Sequence, residues 1–318
     1  MDDLTKILDF TSIQRRKEVI VSKWRALPSL YWSLVVGILT IFSVLQSTAL
    51  SSWTPREVLI FLAVLLVGAL IIAVWIASKQ KTITERLATA SALFAEARRR
   101  FGERDYEGAE VAAERSIGFD DCDSRVWNLL GRIRIRLGKG KGSVEALGKA
   151  LSVNVQPDWV AIYHHNRGIA HLLCRDFGKA KRDFDKCLAE KPRSSVRLRW
   201  RSLCSYYIND CEAALRDALT CVKEGPTKVA GQALLGVIAL SCGASEYVDA
   251  IDELLRHLKP EEAEDYYYLA AYRLLHGSHD ESARLLAIAI HLDDKLKPRF
   301  KTDPIWDAVR EAHIFRNV

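Results

Sequence analysis

Two stretches without a single charged residue, Ala26 to Pro55 and Val58 to Ser78, constrain this 318-residue chain more than any other feature. Within them, "SLYWSLVVGILTIFSVLQSTAL" and "VLIFLAVLLVGALIIAVWIA" each reach the roughly 20 residues that a helix needs to cross about 30 Å of hydrocarbon. Neither shows the polar face of a buried soluble hairpin. Tyr31 and Trp32 open the first, Trp53 lies in the connector and Trp75 closes the second, the interfacial depths that aromatic residues favour. From Lys79 onward charged and apolar residues are mixed. The sequence thus predicts a transmembrane helical hairpin over residues 29–78, followed by a soluble body.

Basic residues set the expected orientation. Arg15, Arg16, Lys17, Lys23 and Arg25 precede the first stretch, and Lys79, Lys81 and Arg86 follow the second, while the connector offers only Arg56 beside Glu57. By the positive-inside tendency both termini, the segment 1–28 and the body are cytoplasmic. An amphipathic pattern around Ile7 to Ile20 suits a bilayer surface. The seven cysteines are odd in number and include no CxxC, which fits a reducing compartment better than an oxidised scaffold. The net charge of +6 is too mild to signal nucleic acid by itself.

The body repeats itself. In "YHHNRGIAHLLCRDFGKAKRDFDKCLAEKP", Gly168 is followed by Phe177, Ala180, Phe184, Cys187 and Pro192. Similar sets recur: Leu93, Ala97, Tyr106 and Ala109; Trp127, Leu130, Gly131, Leu147 and Ala150; Leu198, Ala214, Ala218, Cys221 and Pro226. Two more follow: Leu235, Gly236, Tyr247, Ala250 and Leu254, with two extra residues in the turn, then Tyr266, Leu269, Ala270, Gly277, Leu286 and Ala289. This pattern resembles the tetratricopeptide repeat, a 34-residue helix–turn–helix unit. Small residues let the paired helices approach, and large apolar ones fill the space between neighbouring hairpins.

The resemblance implies an all-α fold: a solenoid of about six repeats over residues 90–294. Ser116 stands where alanine is usual, Ser202 where glycine or alanine is, and Arg167 and Arg201 replace a usual leucine. A solenoid must cover its last apolar face. Asp303 as N-cap, Pro304 at the first position and the stripe Ile305, Trp306, Val309 and Phe315 predict a capping helix within residues 295–318. Neither glycine nor proline occurs between Gly68 and Gly102, so the second span is expected to continue through the connector, 79–89, into the first repeat and to hold the body at a fixed angle.

Catalytic chemistry finds no foothold. His164, His171 and Cys174 share a helix face as zinc ligands would, but in the repeat register they pack against the partner helix and a fourth ligand is missing. Likewise "LGKGKGS" (Leu137–Ser143) lacks the GxxxxGK[ST] spacing and falls in the turn of the second repeat. The cysteines read as small core fillers, Cys174 and Cys242 at one register position, Cys187 and Cys221 at another. No catalytic residue, cofactor site or metal site is expected.

What remains is a binding surface. In the resembled family the first helices of successive hairpins line a groove that takes up segments of partner proteins. Those positions here are Arg98, Arg125, Asn128, Arg132, Arg136, His165, Asn166 and Arg199, then Ala233, Val237, Tyr267 and Tyr268. The resemblance implies a groove that is basic near the membrane and apolar at its far end, suited to acidic or extended segments. Only Asn166 fits the clamp that captures chaperone C-termini, since Val196 and Trp200 stand where basic residues are wanted. By span count and domain order the chain resembles bacterial inner-membrane repeat proteins, the two-span subunit of Pel exopolysaccharide secretion and the HemY group. That architecture implies a scaffold for envelope complexes, with membrane-embedded subunits among its partners. The competing reading is anionic lipid or nucleic acid bound through "RRR" (Arg98–Arg100), "RIRIR" (Arg132–Arg136) and "RLRWR" (Arg197–Arg201).

Overall fold

A computed structural model describes residues 54–153, 155–225 and 228–315. Contacts divide the chain into two compact units, Met1–Lys81 and Thr82–Val318. Helix α1 (Pro55–Gly102) is 48 residues long, uninterrupted as its composition predicts. Among the described residues it is the one helix long and apolar enough to cross a membrane, by length and composition. In its first half the apolar side chains are exposed, Leu59, Leu66, Leu70 and Trp75 at 67, 72, 64 and 60 %, whereas Ala90, Leu93 and Ala97 near its end are buried. The first apolar stretch, and with it the other arm of the expected hairpin, lies outside the described residues, as does the segment around Ile7 to Ile20.

The second unit is a stack of helical hairpins, with no strand among the described residues. The end of α1 pairs with α2 (Tyr106–Phe119), then α3 (Ser124–Arg136) with α4 (Gly140–Ser152) and α5 (Pro157–Leu173) with α6 (Phe177–Glu190). Next come α7 (Ser195–Tyr207) with α8 (Cys211–Glu224), α9 (Val229–Cys242) with α10 (Val248–His257), and α11 (Ala263–Leu275) with α12 (His279–Leu292). Each turn contains one residue in the left-handed region: Arg104, Gly138, Arg175, Asn209, Gly243 and Gly277, at φ 59–75°. Successive members of this series are 34 residues apart, except that Gly138 and Arg175 are separated by 37. The added residues lengthen α5, which has 17 residues where α3 and α7 have 13. The fifth turn, expected to hold two extra residues, holds none: a 3₁₀ turn, Ser245–Tyr247, opens α10 instead. Ile251 and Leu255 consequently face the core, and Leu254, expected there, is 45 % exposed.

Close approach within hairpins follows the small residues. A Cβ on Gly131 would lie 2.4 Å from Leu147 Cγ, and one on Gly168 would lie 2.8 Å from Phe184 Cζ. The departures from the repeat pattern are hydrogen-bonded in place. Ser116 Oγ donates to the Ala90 carbonyl at 2.8 Å, and the Cys187 and Cys221 thiols do the same to Ala161 and Ser195. Ser202 donates to the Ala214 carbonyl at 3.0 Å. Arg167 and Arg201, 34 residues apart, each fork onto a carboxylate of the following helix, Asp183 and Asp217. Two nitrogens meet two oxygens in one plane, which gives the pair geometric specificity as well as charge.

Beyond α12 the cap is built differently from the expectation. The helix is α13 (Leu296–Thr302), earlier than the apolar stripe suggested. Asp303 does cap, accepting from Ile305 N at 3.1 Å, but the element it opens is a 3₁₀ turn, Pro304–Trp306. Further turns lead from there to a second 3₁₀ turn, His313–Phe315. Trp306 and Phe315 are nonetheless fully buried, so the covering role belongs to a folded-over segment instead of a regular helix. Cys211 and Cys242 are joined in a disulfide between the fourth and fifth hairpins, which corrects the reading of Cys242 as a core filler and of a wholly reduced set. Cys187, Cys204 and Cys221 are buried thiols with raised pKa values, desolvation being the main cause.

Candidate partner-binding groove

The first helices of the hairpins, the end of α1 with α3, α5 and α7, supply one side of a cavity of about 620 Å³. The loop before α11 and the segment from Leu292 to Pro304 supply the other. Of the predicted groove residues, Arg132, Arg136, His165, Asn166 and Arg199 line this cavity. Arg98 and Arg125 are not among its lining residues; their guanidinium groups lie over the Phe94 ring, at 5.9 and 5.4 Å. Asn128 is nearly buried and accepts a hydrogen bond from Asn166 Nδ2 at 2.8 Å.

The far end differs from expectation. Ala233, Val237, Tyr267 and Tyr268 are fully buried, so no apolar groove is open there. The chain's own C-terminal segment fills it. The Arg299 guanidinium lies 4.5, 4.4 and 4.9 Å from the rings of Trp200, Tyr267 and Tyr268, and donates to Tyr268 Oη at 2.7 Å. Asp303 accepts from the Tyr207 and Tyr267 hydroxyls and sits 3.4 Å from Arg299. Trp306 Nε1 donates to Tyr267 Oη at 2.8 Å. An apolar face of that size would cost about 25 cal/mol per Å² if left in water, and the segment after Asp294 removes the cost by lying on it. The signal was present in Phe300 and Trp306, but a linear stripe does not say which face its residues will cover.

Charge pairing separates the arginines into two kinds. Arg136 holds Asp293 and Asp294 at 2.6 and 2.9 Å, Arg199 is bonded to Glu264, and Arg134 bridges Glu110 and Glu114. In "RRR", Arg99 pairs with Glu103 and Arg100 with Glu96 and Asp105; in "RLRWR", Arg197 donates to the Cys187 carbonyl. Arg98 and Arg132 have no carboxylate partner among the described residues. Arg132 lies 5.0 Å over the Phe101 ring. It is more than a third exposed, yet the surrounding protein and then the charges of Arg136 and Arg98 lower its pKa. Burial, followed by Arg197, Arg199 and Lys295, lowers His165 to about 4, so its imidazole is neutral at pH 7. Its Nδ1 is buried without a hydrogen-bond partner.

The residues considered for zinc do not converge. His164 Nδ1 lies 2.8 Å from Asp183, which the Arg167 guanidinium already occupies, and His171 stands 3.8 Å from Asp176 and Asp183. Cys174 packs instead against Gly140, the first residue of α4.

Neither family models nor curated proteins match this chain. Solved structures do resemble it. PilW, titled a widely conserved type IV pilus biogenesis factor, is 16 % identical over 69 % of this chain and 97 % of its own, at a TM-score of 0.49. Pseudomonas aeruginosa pilF is 12 % identical over 68 % and 97 %, at 0.47. MamA from Desulfovibrio magneticus RS-1 is 16 % identical over 53 % and 96 %, at 0.49. At these scores the fold stands on the helix pairing itself: α2 to α12, with the end of α1, form an α-solenoid of tetratricopeptide type.

Proposed function

We propose that this chain is a membrane-anchored repeat scaffold that holds a segment of a partner protein on the inner face of its solenoid. The carrying observation is the pair Arg98 and Arg132, cations on the inner face of the first two hairpins that no carboxylate of the described residues neutralises. An acidic or extended segment would supply the missing charge, and paired hydrogen bonds from guanidinium would orient it. Two spans with both termini cytoplasmic complete the proposal: it draws on the first apolar stretch, the exposed apolar side chains of α1 and the basic residues flanking both stretches. The partner class proposed is an envelope polysaccharide synthesis or secretion complex, on span count and domain order alone. Lipid or nucleic-acid binding is the weaker reading, because most arginines of the three clusters are spent on carboxylates of the same chain.

Affinity purification of the full chain from solubilised membranes tests this. A stoichiometric partner should be recovered with the natural protein and lost with Arg98→Glu/Arg132→Glu. Recovery of none, or equal recovery with the double variant, would count against it.

A further inference from the structure

The cavity has a property that the partner reading does not require. One of its walls is the C-terminal segment, from Leu292 to Pro304, so it is bounded on two sides. Its volume falls within the roughly 300–1,000 Å³ of pockets that enclose small molecules. Much of its wall is apolar, supplied by Phe101, Ile135, Ile169, Leu172 and Phe177.

Its cations and carboxylates are equal in number, but they are not all paired. Arg136 is held by Asp293 and Asp294, Arg199 by Glu264 and Arg299 by Asp303. Lys295 reaches Asp293 at 2.7 Å, and Glu262 is bonded to Lys228. Arg132 alone among the lining cations has no such partner within the described residues, while Glu261, the lining acid without an ion pair, is solvent-exposed. The neutral imidazole of His165 adds a buried nitrogen with nothing bound to it. One guanidinium without a carboxylate partner beside an apolar wall suits a molecule with a single anionic head and an apolar body.

We propose that this pocket binds a small amphipathic carboxylate, with its carboxylate on the Arg132 guanidinium and its apolar body against Phe101, Ile135 and Ile169. The site goes beyond the partner reading and stands without it. Arg132 fixes the head through charge-assisted hydrogen bonds, which are worth more than neutral ones because the guanidinium is partly desolvated. The apolar wall gains by covering surface that is otherwise wet.

The test is calorimetric titration of 2-naphthoate into the full chain in lipid nanodiscs, with empty nanodiscs as the blank. Saturable one-to-one binding is expected. It should weaken by about tenfold or more in Arg132→Gln and for neutral 2-naphthalenemethanol, the size of a lost charge-assisted bond. Arg132→Lys should retain part of it, and Lys149→Gln, on the outer helix α4, should leave it unchanged. A thermal transition matching the natural protein shows that each variant folds. No saturable heat, or binding indifferent to Arg132→Gln, overturns the proposal. A short acidic peptide that binds where naphthoate does not also overturns it, and leaves the partner reading standing.

Discussion

Tyr106, in the first hairpin, shares its hydroxyl hydrogen between the two carboxylate oxygens of Asp294, at 3.0 and 2.9 Å across 188 residues of sequence. Arg136 reaches the same carboxylate from the second hairpin at 2.9 Å. The end of the sixth hairpin thus meets the first two, and the segment after it crosses the inner face. Asp294→Ala removes both contacts. It is expected to lower stability by about 1–2 kcal/mol in chemical denaturation, the partial exposure of the pair keeping it below a buried ion pair. A double-mutant cycle of Tyr106→Phe with Asp294→Ala should show coupling, and strict additivity would contradict the contact.

The covering segment should be a large part of the solenoid's stability. Trp306 is fully buried against Tyr267, Phe300 and Phe315. Trp306→Ala is expected to cost about 3–5 kcal/mol, read as a fall in melting temperature and in protease resistance. A loss under about 1 kcal/mol would mean that the segment is only loosely laid on the repeats.

Two glycines should respond in opposite directions. Gly168→Val forces Phe184 to move and should destabilise by about 1–3 kcal/mol. Gly148, inside α4, has nothing within 4 Å of a new Cβ, so Gly148→Ala should stabilise by about 1 kcal/mol through helix propensity. Denaturation midpoints of the two variants check both signs.

Acid should weaken the fold through His165. His165 has its pKa lowered from 6.5 to about 4 in the folded chain, so the unfolded chain takes up the proton first. Stability therefore falls as the pH drops from 6.5 toward 4, by up to roughly 3 kcal/mol. His171, lowered chiefly by burial, acts with the same sign. Burial opposes ionisation of Asp183, but hydrogen bonds from Arg167 and His164 outweigh it and hold the carboxyl at about 2. Its contribution is present above 3.8 and disappears only as the pH falls from there toward 2. Melting temperatures at about pH 7 and about pH 4.5 should converge in His165→Asn relative to the natural protein.

The hairpins were legible because close packing is local: Gly131 and Gly168 announce themselves within one repeat. The left-handed turns are less so, since Arg104, Arg175 and Asn209 are not glycines, and Tyr247 and Leu254 imitate core positions, which displaces the expected fifth turn. Register identifies the inner-face arginines, yet it cannot say which are free. That depends on Asp293, Asp294 and Glu264, residues far along the chain. Tyr267 and Tyr268 are legible as inner-face residues, but not as residues covered by Arg299 and Trp306, because those partners lie about 30 to 40 residues further along the chain.

Site-specific photo-cross-linking in membranes tests the scaffold reading most directly, with a photoreactive residue at Asn166 on the inner face or at Lys186 on the outer helix α6. A discrete adduct to one partner from position 166, absent from position 186, is the predicted outcome. Adducts from position 186 alone, or from neither, would contradict it.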